Sequence, residues 1–155
     1  MKNKKNYTIG FTLVEIMVVV SIIMIMAALA IPNMIRGRIT ANEAMAVASS
    51  RSLYNACMLY SSKNEVFPDS MAYLTIPESN PPYIEEKLAN AIDSAHTKNG
   101  YWFEYVVSGD KDAFTVNARP RNDLAGKRRF FFNEDGLIHY SENGSDATVD
   151  SPVIN

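Results

Sequence analysis

The chain has 155 residues, a formal net charge of −2 and a single cysteine, Cys57. This length gives room for one globular domain and argues against two. One cysteine excludes an intrachain disulfide, and the slightly acidic charge argues against nucleic acid as the main ligand.

The first predicted element is an apolar stretch from Phe11 to Ile31 that contains one charged residue, Glu15. As an α-helix it would be about 31 Å long, which matches the ~30 Å hydrocarbon core of a bilayer and exceeds the apolar region of a secretory signal. The stretch is therefore predicted to span a membrane. Glu15 would cost a few kcal/mol near its start unless another group compensates for the charge.

Ten residues precede this stretch, and they carry Lys2, Lys4 and Lys5 but no acidic residue. Because basic flanks favour the cytoplasmic side, this end of the chain is predicted to stay in the cytoplasm. In an ordinary signal peptide small residues follow the apolar region, whereas here Gly10 stands before it. Without these three lysines the chain keeps 12 basic and 17 acidic residues, a net charge near −5.

Helical periodicity continues beyond Pro32, which lacks a backbone donor and is expected to kink or loosen the helix around residues 28–32. One face of the continuation is apolar, with Ile35, Ile39, Ala46, Leu53, Cys57 and Tyr60. The opposite face is polar, with Arg51, Asn55 and Ser62. The pattern predicts one helix from about Phe11 to Ser62 whose amphipathic second half packs on a globular domain. The alternative is a membrane anchor followed by a separate surface helix.

The rest of the chain is predicted to form a loop and then a sheet. Residues 63–99 contain four prolines, and the apolar spacing within residues 84–95 predicts a short helix there. Four strands are predicted at residues 101–107, 113–118, 129–133 and 137–140. Glycine-containing loops at residues 108–112 and 134–136 are typical of hairpins, so the sheet should be antiparallel. Residues 141–155 are predicted to be a mobile or loosely docked polar tail.

The segment from Gly10 to Glu15, GFTLVE, follows a basic leader and begins an apolar run that ends at Pro32. This arrangement resembles the class III leader of type IV prepilins and type II secretion pseudopilins, and the close match covers residues 1–33. The fold of that family is α+β: a long N-terminal helix, membrane-spanning in its first half and amphipathic in its second, packed on a small C-terminal antiparallel sheet. The order of elements predicted above agrees with it.

The resemblance implies a division of the chain into a leader peptide (residues 1–10), the transmembrane and polymerisation half of the helix (residues 11–32) and a pilin-like globular domain that includes the amphipathic half (residues 33–155). It also implies that a prepilin peptidase cuts between Gly10 and Phe11 and methylates the new amine of Phe11. Glu15 and Pro32 would then act in assembly. In the alternative, Gly10 is incidental and the chain is an uncleaved signal anchor.

The function implied by the resemblance is that of a structural subunit of a type IV pilus or type II secretion pseudopilus, without catalytic residues or cofactors. The implied partners are further copies of the chain in a helical filament, other pilins or pseudopilins, the prepilin peptidase, the inner-membrane assembly platform and the membrane itself. The subunit would begin as a single-pass inner-membrane protein with a cytoplasmic N terminus and end in a periplasmic or extracellular filament. Two alternatives are a monomeric membrane-anchored binding protein and a DNA-uptake pseudopilin, although no nucleic acid is expected.

Other candidate sites have simple structural explanations. Asp110, Asp112 and Asp135 are candidates for a hard cation such as calcium, which takes six to eight oxygen ligands, but turn formation explains these acids about as well and no metal is expected. The basic residues 127–129 and the aromatic residues 101–105 would bind DNA only if they shared one surface. His96 and His139 lie in no recognisable catalytic motif, so an enzyme is not expected.

Overall fold

The computed structural model describes residues 10–154. Within this range the chain forms helices α1 (Leu13–Asn64) and α2 (Glu86–Ala89), a 3-10 helix at Met71–Leu74, and strands β1 (Tyr101–Val107), β2 (Phe114–Pro120), β3 (Arg129–Asn133) and β4 (His139–Ser141). The strands make one antiparallel sheet in the order β1-β2-β3-β4. The predicted α+β class, a long N-terminal helix with a C-terminal antiparallel sheet, is confirmed. Tertiary contacts divide the chain into two units between Arg36 and Gly37.

The first unit contains the beginning of α1, and its side chains are almost all exposed. From residue 13 to residue 36 every side chain is exposed except that of Ala27, which is partly covered. Pro32 lies inside the helix and does not end it. Within residues 10–154, α1 is the one helix long and apolar enough, by length and composition, to cross a membrane. A helix suits the interior of a membrane because it satisfies its own backbone donors and acceptors.

In the second unit, the continuation of α1 packs through a narrow stripe of mostly small residues. The buried positions of the stripe are Ala46, Ser49, Ser50, Leu53, Ala56 and Cys57. Their spacing of three and four residues places them on one face of the helix. Arg51, Asn55 and Ser62 are exposed, as predicted from the sequence. Small side chains let the helix come close to the sheet, and the space is filled from the other side by aromatic rings.

Those rings come from alternate positions of the strands, which is the pattern of a sheet with one buried face. The largest fully buried side chains are Tyr101, Phe103, Phe114, Phe130 and Phe132. The register sets large residues beside small ones, since Ala118 of β2 pairs with Phe103 on one side and Phe130 on the other. This alternation fills the core between the sheet and α1 at close packing.

The connection between β2 and β3 is fastened to α1 by side chains of the helix. Asn42 donates a hydrogen bond of 2.8 Å to the carbonyl of Ala125, and the carboxylate of Glu43 accepts the backbone N–H groups of Lys127 and Arg128 at 2.9 and 3.2 Å. Gly126 is required here because a Cβ would lie 2.0 Å from the hydroxyl oxygen of Tyr101. The loop therefore has a fixed position although much of it is exposed.

The prediction of a helix over residues 84–95 is wrong in extent, since α2 covers only four residues. Two hydrogen bonds explain the early end. The carbonyl of Ala91 accepts the N–H of Phe103 in β1 at 2.7 Å, and the carboxylate of Asp93 accepts the N–H groups of Ala95 and His96, both at 2.8 Å. As a result Ile92, within the predicted helix, is 56% exposed.

The prediction of a mobile or loosely docked tail after residue 140 is also wrong. The C-terminal segment, defined here as residues 142–154, pairs with β4: Tyr140 donates its N–H to Pro152 at 2.9 Å, and Ile154 donates to Ile138 at 2.8 Å. His139 is buried, and its Nδ1 lies 2.7 Å from the carbonyl oxygen of Ser151. These contacts bind the segment along the edge of β4 that does not pair with β3.

An ionic cluster adds a second attachment for the C-terminal segment. The carboxylate of Asp146 accepts two hydrogen bonds from Arg119 in β2, at 2.8 and 2.7 Å, and one from Arg129 in β3 at 3.0 Å. Arg119 also pairs with Glu104 at 2.8 Å and lies 4.9 Å from the ring centroid of Trp102. Three strands and the segment thus meet around the Arg119–Asp146 ion pair on the solvent face of the sheet.

We expect Leu53→Ala to lower the free energy of unfolding by about 2–5 kcal/mol, because Leu53 is completely buried between α1 and the sheet. The variant is made in a fragment that begins at Met34, which should be soluble and monomeric because it lacks the exposed apolar half of α1. Asn55→Ala on the exposed face serves as control and should change stability by less than about 0.5 kcal/mol. Urea unfolding followed by circular dichroism makes the comparison; equal midpoints would show that the stripe is not core.

Asp146→Asn should lower the melting temperature at neutral pH and lose its effect in acid. Hydrogen bonding from Arg119 holds the pKa of Asp146 below its usual range. The carboxylate therefore stabilises the folded state above its unfolded pKa, and this contribution disappears as the pH falls through the lower folded pKa. Melting curves of the wild type and the variant across this range test the sign. Asp150→Asn, at an exposed residue without an ion pair within residues 10–154, is the control.

Candidate functional site

Glu15 and Thr12 form a reciprocal set of hydrogen bonds at the start of α1. The backbone N–H and the hydroxyl of Thr12 both donate to Oε2 of Glu15, at 3.2 and 3.1 Å. The backbone N–H of Glu15 donates in turn to the hydroxyl oxygen of Thr12 at 3.2 Å. Thr12 directly precedes the first helical residue and Glu15 is the third, so the two residues make a capping box.

This arrangement gives Glu15 a local role that the sequence reasoning missed. The signal was present as threonine, two intervening residues and glutamate directly before an apolar helix. The carboxylate satisfies a backbone donor that the helix itself leaves unpaired, and a negative charge is favoured at this end of the helix dipole. Part of the cost of a carboxylate in an apolar stretch is therefore offset within the single chain.

The charge of Glu15 is nevertheless not neutralised by any residue in the described range. Both contacts of the carboxylate in the cap use Oε2, and no Lys, Arg or His within residues 10–154 makes an ion pair with it. The neighbouring side chains are apolar and exposed, with Phe11 79% and Leu13 75% exposed. Within residues 10–154, Oε1 of Glu15 therefore has no partner and is accessible to a cation.

Gly10 and Phe11 lie ahead of the helix, in irregular backbone. No atom other than those of its chain neighbours lies within 4 Å of the position that a Cβ of Gly10 would occupy. Exposed backbone outside a helix can enter the cleft of a peptidase. The lysines of the predicted leader lie outside the described residues.

The three acidic candidates for a metal site are placed at one end of the sheet but serve as turn residues. Asp112 accepts the hydroxyl of Ser108 at 2.6 Å in the β1–β2 loop, and Asp135 accepts the N–H of Leu137 at 2.8 Å in the β3–β4 loop. Asp110 is exposed in the first of these loops. In residues 10–154 no group of three or more His, Cys, Asp or Glu side chains is arranged to hold a metal ion.

The basic cluster and the aromatic residues considered for DNA binding are largely engaged within the chain. Arg128 pairs with Glu142 at 2.9 Å, and Arg129 pairs with Asp146, so acidic side chains partly neutralise the cluster. Tyr101 and Phe103 are buried in the core. Trp102 is partly exposed but lies beneath Arg119, so these strands do not offer a row of free rings on which bases could stack.

The remaining reactive side chains are held in structural positions. Burial raises the pKa of the Cys57 thiol to about 12, which keeps it protonated and unreactive. His96 is exposed and its Nδ1 lies 3.0 Å from Oδ1 of Asp93, in the turn after α2.

Known proteins resemble this chain over its N terminus and over most of its length. Residues 6–31 match a family model described as the prokaryotic N-terminal methylation motif. The type II secretion system core protein G of Vibrio cholerae is 34% identical over 127 residues, which cover 76% of this chain and 85% of that protein. The type IV wide pilus major component PilA4 of Thermus thermophilus is 27% identical over 76% of this chain and 91% of its own. The type IV major pilin protein PilA of Myxococcus xanthus is 40% identical over 60 residues, 39% of this chain and 27% of that protein.

Calcium should leave the melting temperature of the Met34 fragment unchanged, because the acidic side chains of both hairpin loops are engaged in their own turns. If a site existed, calcium at a hundred times its dissociation constant would add about 2.7 kcal/mol to the free energy of unfolding, which a melting curve detects easily. The measurement compares chelator with millimolar calcium. A rise with calcium that Asp112→Ala abolishes would show that a metal site exists.

Proposed function

The chain belongs to the family of type IV pilins and type II secretion pseudopilins, and we propose that it polymerises through the first half of α1 after a prepilin peptidase has cut between Gly10 and Phe11. In this proposal the same enzyme methylates the new amine of Phe11. The observation that carries the proposal is the carboxylate of Glu15. It caps the start of α1 but makes no ion pair within residues 10–154, and it lies on a helix whose apolar side chains are exposed.

Members of this family are structural subunits of filaments, and the chain is accordingly a pilus or pseudopilus subunit rather than an enzyme. Its apolar N-terminal helix fits anchoring in a membrane. In our proposal, the apolar side chains of α1 and the carboxylate of Glu15 determine how the subunit leaves the lipid and joins its neighbours.

The exposed apolar side chains of α1 supply the driving force both for insertion into the membrane and for packing in the filament. Burying a Leu, Ile, Val or Met side chain contributes about 1.5–3 kcal/mol relative to leaving it in water. Lipid covers these side chains before assembly, and the equivalent helices of neighbouring subunits cover them in the filament. Since lipid and helix are both apolar, dispersion alone discriminates weakly between the two environments. A polar contact that only the filament provides can decide between them.

Glu15 is suited to provide that contact. Cleavage after Gly10 creates a positive amine on Phe11, and staggered helices can place this amine beside Glu15 of the adjacent subunit. Two unit charges about 4 Å apart attract by ~4 kcal/mol at an effective dielectric of ~20. This is comparable with the ~2.5–3.5 kcal/mol that insertion of an acidic residue into a membrane costs. Oε2 keeps the capping bond in the meantime, so the cap and the ion pair can coexist.

The proposed partners and locations follow from the same steps. The leader lysines hold the N terminus in the cytoplasm, where the peptidase would process the junction. The subunit then resides in the inner membrane as a single-pass protein until an assembly platform transfers it to a periplasmic or extracellular filament. Pro32 falls near the end of the apolar run, where it removes one backbone donor from the helix.

The test separates the charge of Glu15 from its capping bond. Glu15→Gln keeps an acceptor that can cap Thr12 but removes the charge, so we expect filament yield to fall by up to about three orders of magnitude, the equivalent of ~4 kcal/mol. Thr12→Ala leaves the charge and removes the cap, which is worth about 1 kcal/mol, so the loss should be roughly fivefold. Both variants should still insert into the membrane.

Sheared filament yield and the intact mass of the membrane-bound subunit are measured for each strain, without wild-type subunits present. The mass should correspond to a chain that begins at methylated Phe11 in all strains. Wild-type yield from Glu15→Gln would exclude the ion pair as the basis of assembly. Retention of Met1 in the presence of active peptidase would instead favour an uncleaved, monomeric anchor.

A further inference from the structure

The chain contains two asparagines that are followed directly by glycine, Asn99–Gly100 and Asn143–Gly144. This dipeptide is chemically labile, because glycine has no side chain that would keep its backbone nitrogen away from the side-chain amide of the preceding asparagine. When that nitrogen attacks Cγ of the asparagine, a five-membered succinimide ring forms and ammonia leaves. The two dipeptides are identical in sequence, so the fold decides which of them can react.

The fold holds Asn99 and Gly100 in a tight turn that opposes ring closure. Lys98 and Tyr101 exchange backbone hydrogen bonds of 2.8 and 3.0 Å across the turn. Both central residues have positive φ, 52° for Asn99 and 80° for Gly100, as in a two-residue hairpin of type I′. The carbonyl of Gly100 also accepts the N–H of Arg121 at 2.8 Å. Ring closure needs a large rotation of the backbone after Cα of Asn99, which would break these hydrogen bonds.

Asn143 and Gly144 lie in an exposed bend of the C-terminal segment that lacks such restraints. Residues 143–146 make no backbone–backbone hydrogen bond within the described part of the chain, and the N–H of Gly144 has no hydrogen-bond partner there. No atom other than those of its chain neighbours lies within 4 Å of the position that a Cβ of Gly144 would occupy. The nucleophilic nitrogen is therefore accessible, and the backbone has room to turn it toward the side chain of Asn143.

The side-chain carbonyl of Asn143 is surrounded by hydrogen-bond donors. Its Oδ1 accepts the hydroxyl of Ser141 at 2.6 Å and both the N–H and the hydroxyl of Ser145, at 3.1 and 2.5 Å. Because a backbone N–H can only donate, the contact with Ser145 identifies this atom as the oxygen of the amide. Attack on Cγ moves negative charge onto Oδ1, and donors that are already in place stabilise such a charge, as in an oxyanion hole.

We propose that Asn143 is a site of spontaneous deamidation in the folded protein, assisted by Ser141 and Ser145, whereas Asn99 is protected by its turn. A solvent base removes the proton of the Gly144 N–H, and the nitrogen bonds to Cγ of Asn143. The bond from Cγ to Nδ2 then breaks, and the amide leaves as ammonia after taking a proton from water. A water molecule opens the succinimide at either carbonyl, which leaves an aspartate or an isoaspartate. The inference does not depend on the filament function proposed above.

The product changes a segment that is held in place by its charges. Glu142 pairs with Arg128 at 2.9 Å, and Asp146 pairs with Arg119 and Arg129 at 2.7 and 3.0 Å. Deamidation places a further carboxylate between these two acids, and isoaspartate also adds one carbon to the backbone that joins them. An older subunit therefore carries one more negative charge and an altered spacing between the ion pairs of its C-terminal segment.

Peptide mapping of aged full-length protein tests the site. Protein purified in detergent is incubated at neutral pH, digested and analysed by mass spectrometry, which separates carboxylate from amide by mass and isoaspartate from aspartate by electron-transfer fragmentation. We expect conversion at Asn143 to exceed conversion at Asn99 by about tenfold or more, because the turn around Asn99 must open before it reacts. In denaturing urea the two sites should convert at similar rates, since that turn is then lost.

Serine variants test the hydrogen-bond donors. Ser141→Ala and Ser145→Ala should each slow conversion at Asn143 by about fivefold, the effect expected of one hydrogen bond to the transition state. The matched control is Ser62→Ala, at an exposed residue of α1, which should leave the rate unchanged.

Preferential conversion at Asn143 that both serine variants slow would support the proposal. No conversion at Asn143 in the folded chain, equal conversion at Asn99, or an undiminished rate in either serine variant would overturn it.

Discussion

Aromatic rings on the inner face of the sheet pack against small residues of α1, and this contact holds the second unit together. Phe103, Phe130 and Phe132 are almost completely inaccessible to solvent because Ala46, Ser49 and Ser50 allow the helix to lie close above them. Exchange of a ring or of an alanine would leave a cavity or force the helix outward, and close-packed cores tolerate neither well. The loop attachments at Asn42 and Glu43 depend on the same approach of helix and sheet.

The two halves of α1 meet opposite requirements with one type of secondary structure. In the second unit a narrow stripe is buried and the remaining surface is hydrated. In residues 11–32 nearly every side chain is apolar and exposed, so an environment other than water must cover them. Glu15 is the one charged residue in this stretch. Its bond to Thr12 makes the charge tolerable for one chain, while the second oxygen stays available to another.

Sequence reasoning succeeded where a periodic pattern and burial coincide. The bounds of β1 and β3 were predicted correctly, and α1 begins and ends within two residues of the prediction. Leu53 and Cys57 are buried as their spacing indicated. It failed where a distant residue decides the local structure. The carbonyl of Ala91 bonds to β1 instead of continuing a helix, which no local pattern reveals.

The prediction for the C-terminal segment was wrong for a related reason. Its polar composition is typical of a mobile tail, but Asp146 finds two arginines that are 17 and 27 residues away in the sequence. The candidate site was partly predictable in the same sense. Glu15 stands out in the sequence as the one charge in an apolar run, whereas its capping bonds depend on where α1 begins, which the apolar pattern does not fix.

The coverage of both sheet edges has a consequence for the life of the protein before assembly. Ala91 occupies part of the β1 edge, and residues 152–154 occupy the β4 edge. Unpaired edge strands are templates on which further strands add, and crowding in a two-dimensional membrane would favour such addition. A subunit whose edges are occupied by its own chain can accumulate to high density without forming amyloid-like sheets. The same few backbone hydrogen bonds therefore protect the folded subunit from edge-to-edge aggregation.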